Sequence, residues 1–129
     1  MLQVDIVTPA RVAWKGEAVE VQLPGDQGEM GILDGHATLL AVTRAGVVRL
    51  FIEGGQVETM VVGPGFVEVT PLGVTLLVDG VEAAESVDKD QAARDLESAE
   101  KALAHEEHGS EAWQQAEYGA AMARARLAV

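Results

Sequence analysis

The sequence predicts an antiparallel β-sandwich or small barrel followed by an antiparallel two-helix hairpin. Three observations carry that expectation. From Met1 to about Ala84 the apolar residues recur in twos, glycine and proline cut this stretch at short intervals, and after Ala84 the period changes to three and four. The boundary implies two units, a β-sandwich domain over residues 1–84 and a helical hairpin domain over residues 85–129.

The strand signals follow in order. Leu2, Val4 and Ile6 alternate with Gln3 and Asp5, and Val19, Val21 and Leu23 alternate with Glu20 and Gln22. Val47–Phe51, Val57–Val61, Phe66–Thr70 and Val74–Val78 are valine-rich runs that suit a pleated, half-buried surface. Between them stand Lys15-Gly16, Pro24-Gly25-Asp26, Asp34-Gly35, Glu53-Gly54-Gly55, Gly63-Pro64-Gly65, Pro71-Leu72-Gly73 and Asp79-Gly80. These turns are too short for crossover helices, so the expectation is a sheet without parallel neighbours.

The helical half begins at Val87-Asp88, with Gln91 three positions on, in the manner of a capping box. Ala92, Leu96, Ala99 and Leu103 then share one helix face. Gly109 suits a helix end and Ser110 the next N-cap, and Trp113, Ala116, Ala120, Ala123 and Leu127 continue the stripe. Two helices of about 18–20 residues, each about 30 Å long at roughly 1.5 Å per residue, fold back on one another across that two-residue break. The stripes are mostly alanine, whose methyl contributes far less on burial than the roughly 1.5–3 kcal/mol of a leucine or phenylalanine. Each helix is therefore easily formed, and the pairing between them is easily broken.

Composition narrows the function. A net charge of −12 opposes a nucleic-acid or anionic-membrane partner. No cysteine means no disulfide and no thiolate metal site. The longest apolar runs fall far short of the roughly 18 residues of a membrane span, and Met1–Thr8 has no basic start and apolar run of a secretory signal. These features imply a soluble intracellular protein.

Catalytic constellations are hard to find. His105 and His108 stand at i, i+3 near a helix end, not at the i, i+4 of a zinc protease helix, and read as a solvated helix terminus. Asp26, Glu29 and His36 share a glycine-rich loop and offer an acid/base cluster, but no nucleophile motif accompanies them. That loop lacks the lysine and Ser/Thr of a phosphate-binding loop. Met30, Ile32 and Leu33 give it an apolar contact surface instead. A small-ligand-binding β-sandwich module and a small hydrolase remain alternatives to a non-catalytic assembly subunit.

The stretch Gly28-Glu29-Met30-Gly31-Ile32-Leu33-Asp34-Gly35-His36-Ala37-Thr38-Leu39-Leu40, after the opening Leu2-Gln3-Val4-Asp5-Ile6-Val7-Thr8-Pro9, closely resembles the epsilon subunit of F-type ATP synthases. The family pattern is G-E-x-G-I-x-P-G-H-A-P-L-L, and Asp34 and Thr38 replace its two prolines. Gly63-Pro64-Gly65-Phe66-Val67-Glu68-Val69 and the ending Met122–Val129 resemble further family segments.

The resemblance implies a ten-stranded sandwich carrying a two-helix hairpin, with no active site of its own. It implies a place in the rotating central stalk, bound to the gamma subunit and the membrane c-ring, coupling proton flow to ATP synthesis. The implied ring contact is Asp26, Gln27, Gly28, Glu29, Met30, Gly31 and Ile32, and the implied gamma contact is His36, Ala37, Leu39 and Leu40. The resemblance further implies a hairpin that can extend to the alpha/beta catalytic head and there block hydrolysis. No nucleic acid, metal or cofactor and no membrane insertion is implied. The implied location is peripheral, on the cytoplasmic face of a bacterial plasma membrane or on a plastid thylakoid. Some family members bind ATP through I/L-D-x-x-R-A at the start of the first helix. Here Val87, Asp88 and Ala92 match, but Gln91 stands for the arginine, with Arg94 nearby as a partial substitute. Residues 85–129 hold five basic and ten acidic residues, a poor host for a polyanion. ATP binding is therefore expected to be weak or absent.

Overall fold

The computed structural model describes residues 1–129. Ten strands come first: β1 (Leu2–Val7), β2 (Val12–Ala18), β3 (Glu20–Gly25), β4 (Gly28–Leu33) and β5 (Leu39–Thr43), then β6 (Gly46–Phe51), β7 (Val57–Val62), β8 (Gly65–Thr70), β9 (Gly73–Val78) and β10 (Val81–Ala83). One 3-10 turn, Ala84–Ser86, leads to α1 (Lys89–His105) and α2 (Glu111–Leu127). Sandwich and hairpin are thus the fold class read from the sequence.

The hydrogen-bonded strand order is β10-β7-β6-β3-β5-β8-β9-β1-β2, with β4 beside β3. β3 meets β5 only at Gly25 and Thr43, so the sheet folds over there into two layers. Alternate residues of both layers point inward. Val21, Leu23, Ile32, Val48 and Leu50 from one meet Val4, Ile6, Val67 and Leu76 from the other, all essentially inaccessible to solvent. This one apolar cluster is the main stabilising element, because its methyl-rich side chains leave water together.

Two sequence expectations change. β1 and β9 pair in parallel, Val4 opposite Val74 through Val7 opposite Leu77. Short turns exclude a parallel pair only between consecutive strands; here the chain runs through the rest of the sandwich before returning, so no crossover helix is needed. The stretch read as a glycine-rich loop holds a true strand, with Glu20 to Gly25 paired residue for residue to Leu33 to Gly28. Ile32 is consequently buried in the core and does not belong to a contact surface.

The helices are 17 residues each. Asp88 accepts the Gln91 N–H at 3.0 Å and Ser110 accepts the Trp113 N–H at 3.2 Å, so both N-caps lie where the sequence puts them. The connection is longer than a two-residue break: α1 closes at Glu106, and Gly109 takes its positive φ of 84° three residues later. α2 lies on β6 and β7, and α1 packs mainly on α2. Val61, Met122 and Ala125 form a second, smaller apolar cluster at this junction.

The register makes a direct test. Ile32→Ala is expected to lower unfolding stability by about 2–5 kcal/mol, whereas Leu33→Ala, next to it but more than half exposed, stays within about 0.5 kcal/mol. Urea denaturation of both variants measures the contrast, and equal losses would contradict the strand.

Candidate interaction surfaces

The β3–β4 turn projects Asp26 and Gln27. Neither adopts a positive φ, and Gly28 at 130° takes up the twist that the strands require. A side chain at Gly25 would meet the Gly28 carbonyl at 2.6 Å, so the turn closes only with glycine there. Arg44, just after β5, fixes the tip: its Nε donates to the Gly25 carbonyl at 3.2 Å, and a second guanidinium N–H donates to the Asp26 carbonyl. Backbone bonds Asp26 N–H to Val42 O at 3.1 Å and Arg44 N–H to Pro24 O at 2.9 Å complete the clamp. Asp26, Gln27, Gly28, Glu29 and Gly31 are exposed and Met30 is half-buried. A ring contact made by this hairpin therefore falls to its tip and excludes the Ile32 side chain. Arg44 escapes a sequence reading, since nothing in the local pattern tells that its guanidinium folds back on a distant turn.

Beyond β4, Asp34 forms an ion pair with the Met1 amino group at 2.7 Å. Their hydrogen bond and mutual charge raise the amine's pKa and lower that of the carboxyl. The His36 backbone N–H donates to the Leu33 carbonyl at 3.1 Å. His36, Ala37 and Leu40 face solvent, Leu40 at 70% exposure, while Leu39 packs largely on the core. The acid/base cluster is not assembled. Glu29 lies near the start of β4 and His36 beyond its far end, and the strand's six residues span about 16 Å.

A surface invisible in the linear pattern crosses the outer face of the second layer. Val42 stands opposite Phe66, Phe66 opposite Leu77, Leu77 opposite Val7, and Val7 opposite Val12. Their neighbours Val67, Leu76 and Ile6 point to the core, so this row points outward, and Val42, Phe66, Leu77 and Val12 are each 47–57% exposed. Five apolar side chains in line across five strands form a contiguous patch of the kind that marks a protein contact. Leu40 lies on the same face, one pleat along.

The opposite outer face carries the hairpin. Every predicted stripe residue is buried or half-buried, with Ala92, Ala116, Ala120 and Ala123 the fully buried ones. Arg126 reaches Glu82 on β10 in a two-pronged pair, with Nε at 3.1 Å from both carboxylate oxygens and Nη2 at 2.7 Å from one. Tyr118, two turns earlier on α2, sits near Asp79. Burial first, then the Asp79 charge, hold its phenol above the ordinary value of 10.

Comparison with known proteins assigns the chain. The family described as ATP synthase, Delta/Epsilon chain, beta-sandwich domain matches residues 1–84. The chain belongs to that family. It is 43% identical over 102 residues to an ATP synthase epsilon chain of Gloeothece citriformis, covering 79% of this chain and 73% of that one. It is 41% identical over 96 residues to a chloroplastic ATP synthase epsilon chain of Guillardia theta, covering 74% and 72%. In fold it is similar to a chain in the Euglena gracilis mitochondrial ATP synthase OSCP/F1/c-ring structure (TM-score 0.88, 21% identity, 98% of this chain and 79% of that one). A chain of the Tetrahymena thermophila central stalk/c-ring structure aligns with TM-score 0.66 at 12% identity, covering 97% and 92%.

Within this delta/epsilon family chain, the remnant of the ATP motif is occupied by its own side chains. The Gln91 amide donates to Asp95 at 2.8 Å and accepts from Arg94 at 2.7 Å. Arg94 is thus turned toward the position where the motif's arginine would stand, yet its guanidinium is spent on Gln91. Asp88 is committed to capping α1, and Val87 is half-buried against the second apolar cluster. His108 packs on Trp113 with the rings tilted by 46° and their centres 4.2 Å apart, and His105 ends α1 in solvent. No group of three or more His, Asp or Glu side chains converges as a metal site.

Two outcomes follow. At this motif ATP is expected to bind with a dissociation constant no tighter than about 1 mM, since a glutamine cannot supply a guanidinium's charged fork; micromolar ATP binding that is lost in Arg94→Gln would contradict the Gln91 geometry. Separately, because the native Tyr118 pKa is raised, the protonated phenol stabilises docking below pH 10, and that contribution fades as pH rises through the native value. Denaturation midpoints from about pH 9 to 11 are expected to fall more steeply for the parent than for Tyr118→Phe.

Proposed function

We propose that this chain is the non-catalytic epsilon-type subunit of an F-type ATP synthase, a part of the central stalk that links the gamma subunit to the c-ring. The apolar row Val42-Phe66-Leu77-Val7-Val12 carries the reading: a sandwich of this family with a sealed core and one bare greasy face is built to be gripped. The gamma subunit is the proposed occupant of that face, with Leu40, His36 and Ala37 at its margin. The clamped tip Asp26–Glu29 is the proposed c-ring contact. A rigid turn suits the role, since torque passed through a floppy loop would be lost as local motion.

The hairpin is the proposed regulatory arm, acting as a unit of residues 85–129 on the sandwich of residues 1–84. In its released form it reaches toward the alpha/beta head and slows ATP hydrolysis. No helix here is long and apolar enough to cross a membrane. The proposed location is accordingly peripheral, on the cytoplasmic face of a bacterial plasma membrane or on a thylakoid. A free-standing ligand-binding module is disfavoured by a core packed with valine, leucine and isoleucine between the two layers.

Two experiments test the proposal. A tagged full-length chain is expected to co-purify with the other synthase subunits, and Phe66→Asp, an exposed position that leaves the core alone, is expected to lose that association. Retention by the variant would remove the row from the interface. Truncation after Glu85 is expected to leave assembly intact and to raise the ATPase activity of the assembled enzyme; unchanged activity would mean a passive hairpin.

A further inference from the structure

An arginine-lined cleft opens between the sandwich and the flank of α2 opposite the Arg126–Glu82 pair. Residues two apart on a helix point about 200° apart, so Arg124 and Arg126 leave α2 on opposite sides. Arg124, Arg49 of β6 and the clamped Arg44 all line a space of about 570 Å³. That volume lies within the range of roughly 300–1,000 Å³ typical of small-molecule sites. Three of the protein's nine basic residues therefore line one cleft, and Glu29 is the single carboxylate among its walls.

The arrangement leaves guanidinium donors uncommitted. The chain has 21 acidic residues, yet its three ion pairs are Met1–Asp34, Lys101–Glu97 and Arg126–Glu82, and none involves Arg44, Arg49 or Arg124. Arg49 is half-buried between Gln22 and Thr59 on its neighbouring strands and donates to neither. Arg44 and Arg124 reach solvent, so three like charges side by side are tolerated, but together they favour an anion that supplies the opposite charge. Arg44 spends two donors on the Gly25 and Asp26 carbonyls and is held in place by them, with the rest of its fork free. The floor adds room: Gly25, Gly28, Gly46, Ala121, Ala125 and Ala128 carry at most a methyl.

We propose that this cleft binds a small multivalent phosphate anion, held by Arg49 and Arg44 on the sandwich and Arg124 on α2. Phosphate oxygens match the planar guanidinium fork, which donates two parallel N–H bonds to one group. A single phosphate is not enough. Glu29 and the carbonyl-rich end of α2 both oppose an anion, so the ligand must span two arginines to overcome them. Because one arginine belongs to the helix and two to the sandwich, the bound anion ties the hairpin down. By linkage it stabilises the docked position by RT ln(1 + [L]/Kd). The binding step stands apart from the rotor assignment, since it is read on the isolated chain.

The probe is pyrophosphate, titrated calorimetrically into the full-length chain at about 0.15 M salt, where loosely held surface ions are screened. The expected result is saturable binding, tighter than for inorganic phosphate, that weakens about tenfold or more in Arg49→Gln and again in Arg124→Gln. Arg94→Gln, on α1 and outside the cleft, is expected to bind as the parent does. Both cleft variants keep the buried core intact, and a circular-dichroism melt checks that they fold. No saturable binding, phosphate binding as tightly as pyrophosphate, or binding indifferent to Arg49 and Arg124 would each overturn the proposal.

Discussion

The seam between α2 and the outer face of β6 and β7 is shallow, and that shallowness governs how the two halves of the molecule relate. Its apolar centre is Met122 and Ala125 on Val61. A buried methionine contributes roughly 1.5–3 kcal/mol and each alanine methyl well under that, so the apolar part is modest. The Arg126–Glu82 pair adds direction more than strength, since a half-exposed ion pair is screened by water even in two-pronged geometry. The seam between α1 and α2 is of similar character, its fully buried stripe residues all alanine and its Leu96, Leu103, Trp113 and Leu127 only half-buried. Close approach without much buried area gives a definite geometry that a competing partner of moderate affinity can displace, because an equilibrium set by a few kcal/mol can be tipped by one.

The parts that the sequence made legible are those whose cause is local. The caps at Asp88 and Ser110 need only a carboxylate or hydroxyl three residues ahead of an N–H, and both appear where the pattern puts them. The helical stripe and most strands follow from periodicity in the same way. β4 is hidden because two of its six residues are glycines, which erase the alternation that would mark Ile32 as inward. Its strand character comes from β3 alongside, a partner with strong alternation of its own.

The outer apolar row was hidden for a different reason. Phe66, Leu77, Val42, Val7 and Val12 each sit in strands whose other apolar residues are core, so each reads as ordinary strand valine, leucine or phenylalanine. Only the register of four separate pairings brings them into one line, and register between distant strands has no local signal. Arg44, Arg49 and Arg124 present the same difficulty. They come from a turn, a strand and a helix some 80 residues apart, and only the docked hairpin makes them neighbours.

The main core explains why a loosely mounted arm and a firm body can coexist in so short a chain. None of its 16 buried residues lies in a helix: all come from β1 to β9, and the two layers close on one another without help from α1 or α2. Releasing α2 uncovers Val61 and its few neighbours and opens nothing deeper. Had the hairpin supplied side chains to that core, as the second layer of an α/β sandwich does, undocking would expose a greasy interior and unfold the domain. Keeping the two clusters separate confines the loss to the small seam. The apolar row on the far face is left undisturbed by either position of the arm, so a partner gripping that face can stay bound while the hairpin moves.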